Sequence, residues 1–456
     1  MSPQSWANQE ITTPDLGDGR LNKRLAVLLE QLAAHPAQSL PQACGSWADT
    51  KAAYRFMASP KVTPQGIRDA HHFQVLARGR GLQRALLLQD TTDLDFTAHP
   101  HTEGLGLLGG TKAQGFKVHS GLLVSDTGVP LGLLTQSVWS RSAEDKGKSR
   151  DWRKRPLDEK ESRKWTDCLT ALEREWSANR RCVVIGDREA DMYPLFVAPR
   201  PENTDLLVRA AYNRRIDAEA HTLFQAVSAA PVAGERTLSL RSREGRPARE
   251  AVLAVRFTTV TLVPPPYYKG QYAPVTLCVV EARELAPPAG EKALHWIILT
   301  TLVVTDFAEA CQCLEWYSYR WMIEQYHRTL KSGCRIEALQ LQTAARLQVA
   351  LALYCLVAWR LLWLTYEARR VPQCSCATAL QTHEWQALYC TIHRTPTPPP
   401  QPPSLREAVR WIAQLGGFLA RKSDGEPGVQ TLWRGIQRLH DIAETWKLLH
   451  PSQTYG

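Results

Sequence analysis

The chain has 456 residues, 44% of them hydrophobic, so it can bury the cores of several domains and is not a disordered tail. Fifty-five lysines and arginines against forty-five acids leave a net charge of +10, which favours a polyanionic partner. Nucleic acid is the leading candidate for that partner, and an acidic membrane surface is the second.

The N-terminus has no basic segment followed by an apolar run, so we expect no secretory signal and a cytoplasmic protein. The most apolar stretch, Val349 to Tyr366, has Arg360 in its middle. A charge is costly at the centre of a membrane span, so we predict a buried helix and no membrane partner. The eleven cysteines are expected to be reduced, and the Cys-x-Cys pairs at Cys311 and Cys374 lack the spacing of a zinc knuckle.

The first 78 residues have the leucine spacing of helices, and Asp15 to Gly19 is typical of a helix cap. From Ala85 the pattern changes to three strand-like runs, ALLLQDTTDLDF, VHSGLLVS and PLGLLTQSVW, which predict the start of an antiparallel sheet. Between Ser140 and Lys164 charged residues are many and aliphatic residues few, so an exposed loop is predicted.

A predicted helix over about residues 161–179 leads into the apolar strand RCVVIGD, an alternation typical of a sheet flanked by helices. Strand patterns return over about 205–305, and helical patterns follow over about 306–331 and 344–369. The run TPTPPPQPPS is a stiff spacer that cannot form a helix, and two further helices are predicted after it. The predicted units are residues 1–78, 79–370 with a β-rich insertion at about 205–305, a linker at 371–404, and 405–456.

Two aspartates follow apolar strands: Asp90 comes after ALLLQ and Asp187 after CVVIG. Both carboxylates are therefore predicted where a buried strand ends at a sheet edge, a place where acids can bind a hard divalent cation. Taken alone, an aspartate after a strand is more often a turn former or a helix cap.

A third candidate acid, Glu324, shares a helical stripe with Tyr317, Arg320 and Lys331. At about 100° per residue, their offsets from Tyr317 place all four side chains within roughly 60° of one another. Such a stripe can also be a solvated helix face with ordinary ion pairs.

These residues carry a resemblance to a known family. The stripe has the Y-(2)-R-(3)-E-(6)-K signature of the DDE transposases of bacterial insertion sequences, in the insertion-sequence-four, Tn-five-like branch. Further blocks agree in order and spacing over nearly the whole chain. They are LGDGR followed by Arg24, AAYRF, QDTT at Asp90, GDREAD at Asp187, LHWIILT at Trp296 and LGGF at Phe418.

The resemblance implies a mixed α/β fold: a ribonuclease-H-like catalytic core with a β-rich insertion, flanked by N-terminal and C-terminal helical domains. It implies that Asp90, Asp187 and Glu324 are the catalytic triad and hold two Mg2+ ions, with Mn2+ as a substitute. The implied enzyme cuts the terminal inverted repeats of its element, forms a hairpin, and transfers the 3′-hydroxyl ends into target DNA without a small-molecule substrate.

The resemblance also implies the DNA contacts. Tyr317, Arg320 and Lys331 would grip phosphates beside the scissile bond, and Trp296 and Trp321 would stack on or displace a base. Four further candidate contacts could equally be solvated cations: Arg188, Arg209, Arg214 and Arg215. In the N-terminal unit, the residues that would recognise the terminal repeats are Arg20, Arg24, Lys51 and Arg55.

The block from Ala408 to Trp446 resembles the family's C-terminal dimerisation helices, so a homodimer is expected to hold the two ends of the element. An intramolecular helix pair is the alternative for this block. Two other functions stay open: a ribonuclease-H-like nuclease without strand transfer, and a domesticated DNA-binding regulator. Four further acids do not match the triad and are predicted either to be structural or to support the triad residues from behind: Asp93, Asp95, Glu189 and Asp191.

Overall fold

The computed structural model describes residues 5–11, 14–109, 112–141, 159–176, 180–219, 221–240, 248–422 and 424–450. Most of the charged loop predicted between Ser140 and Lys164 lies outside the described residues.

The first part of the chain is helical, as the leucine spacing predicts. Asp18 begins the second helix by accepting a hydrogen bond from the backbone N–H of Arg20 at 2.9 Å. Leu25, Leu29 and Leu32 of that helix are buried on one face. The five helices are α1 (Trp6–Glu10), α2 (Gly19–Ala34), α3 (Leu40–Cys44), α4 (Trp47–Ala58) and α5 (Pro64–Arg78).

All ten strands in the described part of the chain belong to one mixed sheet. They are β1 (Arg84–Asp95), β2 (Gly106–Leu107), β3 (Gln114–Ser125), β4 (Pro130–Trp139), β5 (Arg181–Gly186), β6 (Thr204–Arg209), β7 (Gly234–Leu240), β8 (Arg249–Leu262), β9 (Val275–Glu284) and β10 (His295–Thr300).

The remaining helices cover the sheet and close the chain. They are α6 (Arg163–Glu175), α7 (Tyr193–Val197), α8 (Leu223–Ala229), α9 (Phe307–Ser318), α10 (Trp321–Arg328), α11 (Ala344–Arg370), α12 (Thr382–His393), α13 (Leu405–Leu415) and α14 (Val429–Leu449).

The sheet has a central parallel part with antiparallel strands on either side of it. Strands β4, β3 and β1 pair antiparallel, as predicted, and β1, β5 and β6 pair parallel. The mixed α/β fold class is confirmed. Strand β6 was expected to open the β-rich insertion, but its parallel pairing with β5 makes it part of the central strands. The later strands extend the same sheet, because β10 pairs antiparallel with β6.

Helices pack on both faces of the sheet, because strand residues alternate between the faces. Leu86 and Leu88 of β1 join a core with α10 and α11, whereas Leu87 joins a second core with α6 and α7. Successive residues of β1, and likewise of β5, therefore face opposite helical layers.

Helix α11 is the apolar helix predicted from the sequence. By length and composition it could cross a membrane, but 83% of its most apolar 18-residue stretch is buried inside the protein. Its central Arg360 donates to the carbonyl of Ala379 at 3.0 Å and lies 4.4 Å from the ring of Trp6. The helix is thus the core helix predicted, with a satisfied cation.

The C-terminal region contains one helix that the sequence did not predict. The interval 371–404, expected to be a linker, includes α12, which begins at a capping box formed by Gln381 and Glu384 and packs on α14. The proline-rich run forms no helix, as expected, and α13 and α14 follow it as a packed pair.

Candidate active site

Asp90 lies on β1, and Asp187 directly follows the neighbouring strand β5. In the parallel pair of β1 and β5, Leu88 lies opposite Ile185. Because side chains alternate along a strand, Asp90 shares with Leu88 the sheet face that α10 covers, and Asp187 comes two residues after Ile185, just past the end of β5. Asp90 differs from the expectation in one respect: β1 does not end there but continues to Asp95 beside β3, so that only its fully buried run stops at Gln89.

Asp187 is held by the tight turn that follows β5. Its side chain accepts a hydrogen bond from the backbone N–H of Glu189 at 2.8 Å and begins a 3-10 turn over Arg188–Ala190. A Cβ on Gly186 would lie 2.4 Å from the Cβ of Ala190, so the turn requires glycine there. The GDREAD block is therefore a local structure that fixes the position of this carboxylate.

The predicted helical stripe is not one straight helix. Helix α9 ends at Ser318, α10 begins at Trp321, and a π-helical turn spans Thr329–Gly333. Side-chain directions calculated at a constant angle per residue are therefore wrong beyond these two irregularities. Tyr317, Arg320 and Glu324 are still neighbours, but Lys331 lies further along β1, where its Nζ donates to the carbonyl of Asp93 at 2.9 Å.

Arg320 lies between two of the three candidate acids. Its guanidinium forms an ion pair with Glu324, one turn later, and its Nη1 lies 4.0 Å from Oδ2 of Asp90. The pKa of Asp90 is raised to about 6, mainly by burial; Asp187 and Glu324 add to the rise, and the Thr91 backbone N–H and Arg320 oppose it. Three carboxylates thus share a partly buried space.

Tyr317 and Trp296 form the wall of this space. Tyr317 is buried, and burial raises the pKa of its phenol while Arg320 and Arg209 oppose that rise. The indole of Trp296 packs edge-on against its ring at a centroid distance of 5.8 Å. Trp321 is half exposed at the start of α10.

The four neighbouring acids have hydrogen-bond or ion-pair partners of their own. Asp93 pairs with Lys117 at 2.8 Å, and Glu189 pairs with Lys164 at 2.6 Å. Asp95 accepts from the backbone N–H of Thr97 at 2.8 Å. Such contacts fit the structural roles predicted for these acids and separate them from the carboxylates that face one another.

Arg214 differs from the expectation of a DNA contact. Its side chain is 9% exposed, and its Nε donates to Oδ1 of the fully buried Asp191 at 2.8 Å. The same carboxylate accepts from the backbone N–H of Ala211 and of Tyr212. Arg214 therefore stabilises the loop after β6, and little of it is left for DNA.

The other basic candidates are more accessible. Arg188 and Arg215 are exposed, and Arg209 donates to the carbonyl of His295 at 3.1 Å. In the N-terminal helices, Arg20, Lys51 and Arg55 are exposed. Arg24 instead pairs with Asp49 at 2.8 Å, which joins α2 to α4.

One neighbour of the acids was not selected from the sequence. The Nδ1 of the buried His327 lies 3.9 Å from Oδ2 of Asp90. Its offset of three residues from Glu324 puts both side chains on one face of α10, and this spacing could have identified it.

The acids suit a divalent cation by donor type. In the described residues no three histidine, cysteine, aspartate or glutamate side chains are arranged to hold a metal ion. In this structure the Glu324 carboxylate is instead in an ion pair with Arg320. Carboxylate oxygens are the donors that Mg2+ prefers, and a cation would relieve the crowding that raises the pKa of Asp90, so the residues fit such an ion.

Comparison with known families accounts for most of the chain. Residues 3–62 match the transposase DNA-binding model, residues 131–360 the transposase DDE domain, and residues 356–450 the Transposase Tn5 dimerisation domain. The DDE match covers half of the chain and includes Asp187 and Glu324 but begins after Asp90. It implies a ribonuclease-H-like core and dependence on a divalent metal, typically Mg2+, and the other two matches support DNA as partner and a homodimer. The chain therefore belongs to the DDE transposase family, in its Tn5-like branch, and is a metal-dependent DNA transposase.

Proposed function

We propose that this transposase works by a cut-and-paste route. It binds the terminal inverted repeats of its element and hydrolyses one strand at each end. The new 3′-hydroxyl attacks the opposite strand to form a hairpin, the hairpin is reopened, and the 3′ ends are joined to target DNA. Each step is an in-line phosphoryl transfer, so one site can serve them all.

The observation that supports this proposal best is that Asp187 and Glu324 both lie close enough to Asp90 to raise its pKa, with Arg320 paired to Glu324 and 4.0 Å from Asp90. We assign the three acids as catalytic residues that hold two divalent ions, Mg2+ in the cell, with Mn2+ able to substitute. When bound, the ions activate the attacking oxygen and stabilise the leaving oxygen.

Tyr317, Arg320 and Lys331 are proposed to bind the phosphates beside the scissile bond. A phosphate is the bidentate partner that a guanidinium prefers, so DNA would compete with Glu324 for Arg320. That exchange would free the Glu324 carboxylate for its role in the triad. Lys331 lies along β1 from this point and would hold a neighbouring phosphate.

Trp296 and Trp321 are proposed to assist the hairpin. Trp321 has an accessible ring that can stack on a displaced base, whereas Trp296 packs on Tyr317 and would act through that contact. Arg188, Arg209 and Arg215 are proposed DNA contacts at the same sheet edge, with a lesser part for Arg214.

The remaining parts of the chain are assigned by region. Residues 1–78 would recognise the terminal repeats through Arg20, Arg24, Lys51 and Arg55, and residues 79–370 would carry the chemistry. The C-terminal helices from residue 405 would join two protomers in a synaptic complex, reached through the segment 371–404. We expect the protein to act on the nucleoid in the bacterial cytoplasm.

The test uses purified protein, Mg2+ and DNA that carries the sequences flanking its coding region. The parent should nick the ends and give a hairpin product, and Asp187→Ala should abolish both while the affinity for DNA is kept. Asp93→Ala is the matched control, because this neighbouring acid pairs with Lys117 and should remain active. An Asp187→Ala variant that cuts as well as the parent would refute the assignment, and cleavage without joining would favour the nuclease alternative.

A further inference from the structure

Four tyrosines that the proposed roles do not use lie in the two segments that pack near the Asp187 loop. We call Tyr212, Tyr267, Tyr268 and Tyr272 the tyrosine patch. Tyr212 is 62% exposed and Tyr267 54% exposed. The rings of Tyr267 and Tyr268 lie 4.5 Å apart, and those of Tyr268 and Tyr272 lie 5.1 Å apart. Tyr212 and Tyr267 therefore have exposed rings, and Tyr267 packs in a cluster with Tyr268 and Tyr272.

The patch is held in place by backbone contacts. Tyr267, Tyr268 and Tyr272 lie in the turn between β8 and β9. The hydroxyl of Tyr193 donates to the carbonyl of Ala273 at 2.7 Å, and the N–H of Val263 donates to the carbonyl of Arg215 at 3.0 Å. These bonds tie the turn to the segments that follow β5 and β6, so the rings are presented from a fixed surface.

A second set of contacts holds Tyr212 close to the turn that carries a candidate catalytic acid. Asp191 lies one short turn after Asp187, and its carboxylate accepts from the N–H of Tyr212 at 3.0 Å. Arg214, bound to Asp191, lies 5.4 Å from the ring centroid of Tyr212. The buried pair of Arg214 and Asp191 thus positions Tyr212 at the sheet edge where Asp187 lies.

Cations accompany the rings. The Nζ of Lys160 lies 5.7 Å from the ring of Tyr268, and Lys269 and Arg215 are exposed. Asp217 is an exposed acid on the same segment, so the patch is not uniformly positive. Aromatic faces with scattered cations are the combination by which proteins bind single strands, because every base has a face that stacks.

We propose that the tyrosine patch binds unpaired nucleotides of the DNA strand adjoining the cleavage point. In duplex DNA the bases stack on one another, so exposed aromatic rings can reach them only where the strands are separated or a base is displaced. Cutting at Asp187 would produce such nucleotides beside Tyr212. This inference rests on the proposed function for the position of the cut, but single-strand binding can be measured without cleavage.

The test measures binding to a mixed-sequence single strand of about 15 nucleotides and to a blunt duplex, without divalent metal. Tyr212→Ala and Tyr267→Ala remove exposed rings and keep all backbone bonds. Each should weaken binding to the single strand about tenfold, within the range measured when a stacking residue is truncated, and leave the duplex affinity unchanged. Tyr→Phe at either position should restore binding, because stacking requires the ring and not the hydroxyl.

The control is Phe73→Ala, which removes a ring that is 47% exposed and has Arg80 5.8 Å from its centroid, but lies on α5. It should bind the single strand as the parent does. A second readout is the slope of log Kd against log salt concentration, which Arg215→Ala should reduce and Tyr212→Ala should leave unchanged.

Equal single-strand affinity for the parent and both alanine variants would overturn the proposal. So would a loss that is as large for the blunt duplex, or a change in oligomeric mass in light scattering, which would make the patch a protein interface. Failure of the parent to cut element-end DNA would refute the proposed function instead, since it leaves the single-strand result standing.

Discussion

At the scale of single residues, the site concentrates negative charge where burial makes charge costly. Burial and two neighbouring carboxylates raise the pKa of Asp90 to about 6. The charged form of Asp90 therefore lowers the free energy of unfolding. Such a cost is expected where the function of a residue conflicts with stability.

Asp90→Asn is predicted to stabilise the metal-free protein. A folded-state pKa raised above the unfolded value means that the charge costs stability once the pH exceeds that of the unfolded group, and the full cost is present above pH 6. We expect a gain of about 1–3 kcal/mol at pH 7.5 that vanishes near pH 4, measured by denaturant unfolding. Asp93→Asn, which loses an ion pair with Lys117, should show no gain. A destabilised Asp90→Asn would mean that the site is not electrostatically crowded.

A second residue-scale feature joins α1 to α5. The buried Glu10 binds Nδ1 of His71 at 2.5 Å and Nη1 of Arg78 at 2.8 Å, while Nε2 of His71 accepts from the N–H of Leu133 at 3.1 Å. Burial would raise the pKa of Glu10, but His71 and Arg78 outweigh it and lower that pKa. Burial lowers the pKa of His71.

Acid should weaken this contact. Both pKa values are depressed in the folded state, so His71 contributes a loss of stability as the pH falls below about 6.5, and Glu10 a further loss below about 4.5. Glu10→Gln should cost about 3–5 kcal/mol at pH 7 and flatten the dependence below pH 4.5, since it leaves Arg78 without its partner. Asp167→Asn breaks the exposed pair with Arg163 and should cost less than about 1 kcal/mol. Equal costs for the two variants would contradict the account.

Sequence could predict which acids to examine but not every partner. Asp90 and Asp187 were found because each follows an apolar strand, a local signal. Arg214 was expected to contact DNA because nothing near it in the sequence indicates Asp191, which lies 23 residues earlier and meets it only through the fold of the loop.

At the scale of elements, helix existence was predictable and helix continuity was not. A period of 3.6 residues describes α9 and α10 separately, but the break at Tyr319 and the π turn at Thr329–Gly333 shift the phase between Tyr317 and Lys331. Helix α12 was missed because the proline run beside it dominated the local pattern.

Helix α4 should bind DNA through its exposed cations. Lys51 and Arg55 are one turn apart and exposed, whereas Arg24 pairs with Asp49. Lys51→Ala and Arg55→Ala should each reduce the salt-dependence slope for end DNA by about one unit, in line with one phosphate contact apiece. Arg24→Ala should change the slope less. The measurement is fluorescence anisotropy over a range of salt concentrations, and unchanged slopes for both variants would remove α4 from the interface.

Close packing of α13 on α14 depends on Gly435. A Cβ there would lie 1.8 Å from the carbonyl oxygen of Ile412, so Gly435→Ala must separate the helices and should cost about 1–3 kcal/mol. Gly19→Ala, at the start of α2 with no atom within 4 Å of the added Cβ, should be neutral or stabilising. Thermal unfolding measures both, and a neutral Gly435→Ala would show that this close approach is not required.

At the scale of the whole molecule, the predicted units pack together around one hydrophobic core. A single core contains Leu25 of the N-terminal helices, Leu88 of the sheet, and Trp433 of α14. The order of helical and β-rich regions was predictable from periodicity. The sequence did not predict that these regions share one sheet and one core. Strand pairs such as β10 with β6 join residues that are far apart in the chain, and no local pattern indicates them.

The central claim is that Asp90, Asp187 and Glu324 act together as one metal site. The most direct measurement is DNA-end cleavage by Asp187→Cys in Mg2+ and in Mn2+ or Cd2+, which accept a sulfur ligand more readily. We predict no cleavage in Mg2+ and partial recovery with the softer ions, while Asp93→Cys cuts equally with Mg2+ and with Mn2+. Cleavage by Asp187→Cys at the parental rate in Mg2+ would contradict the claim.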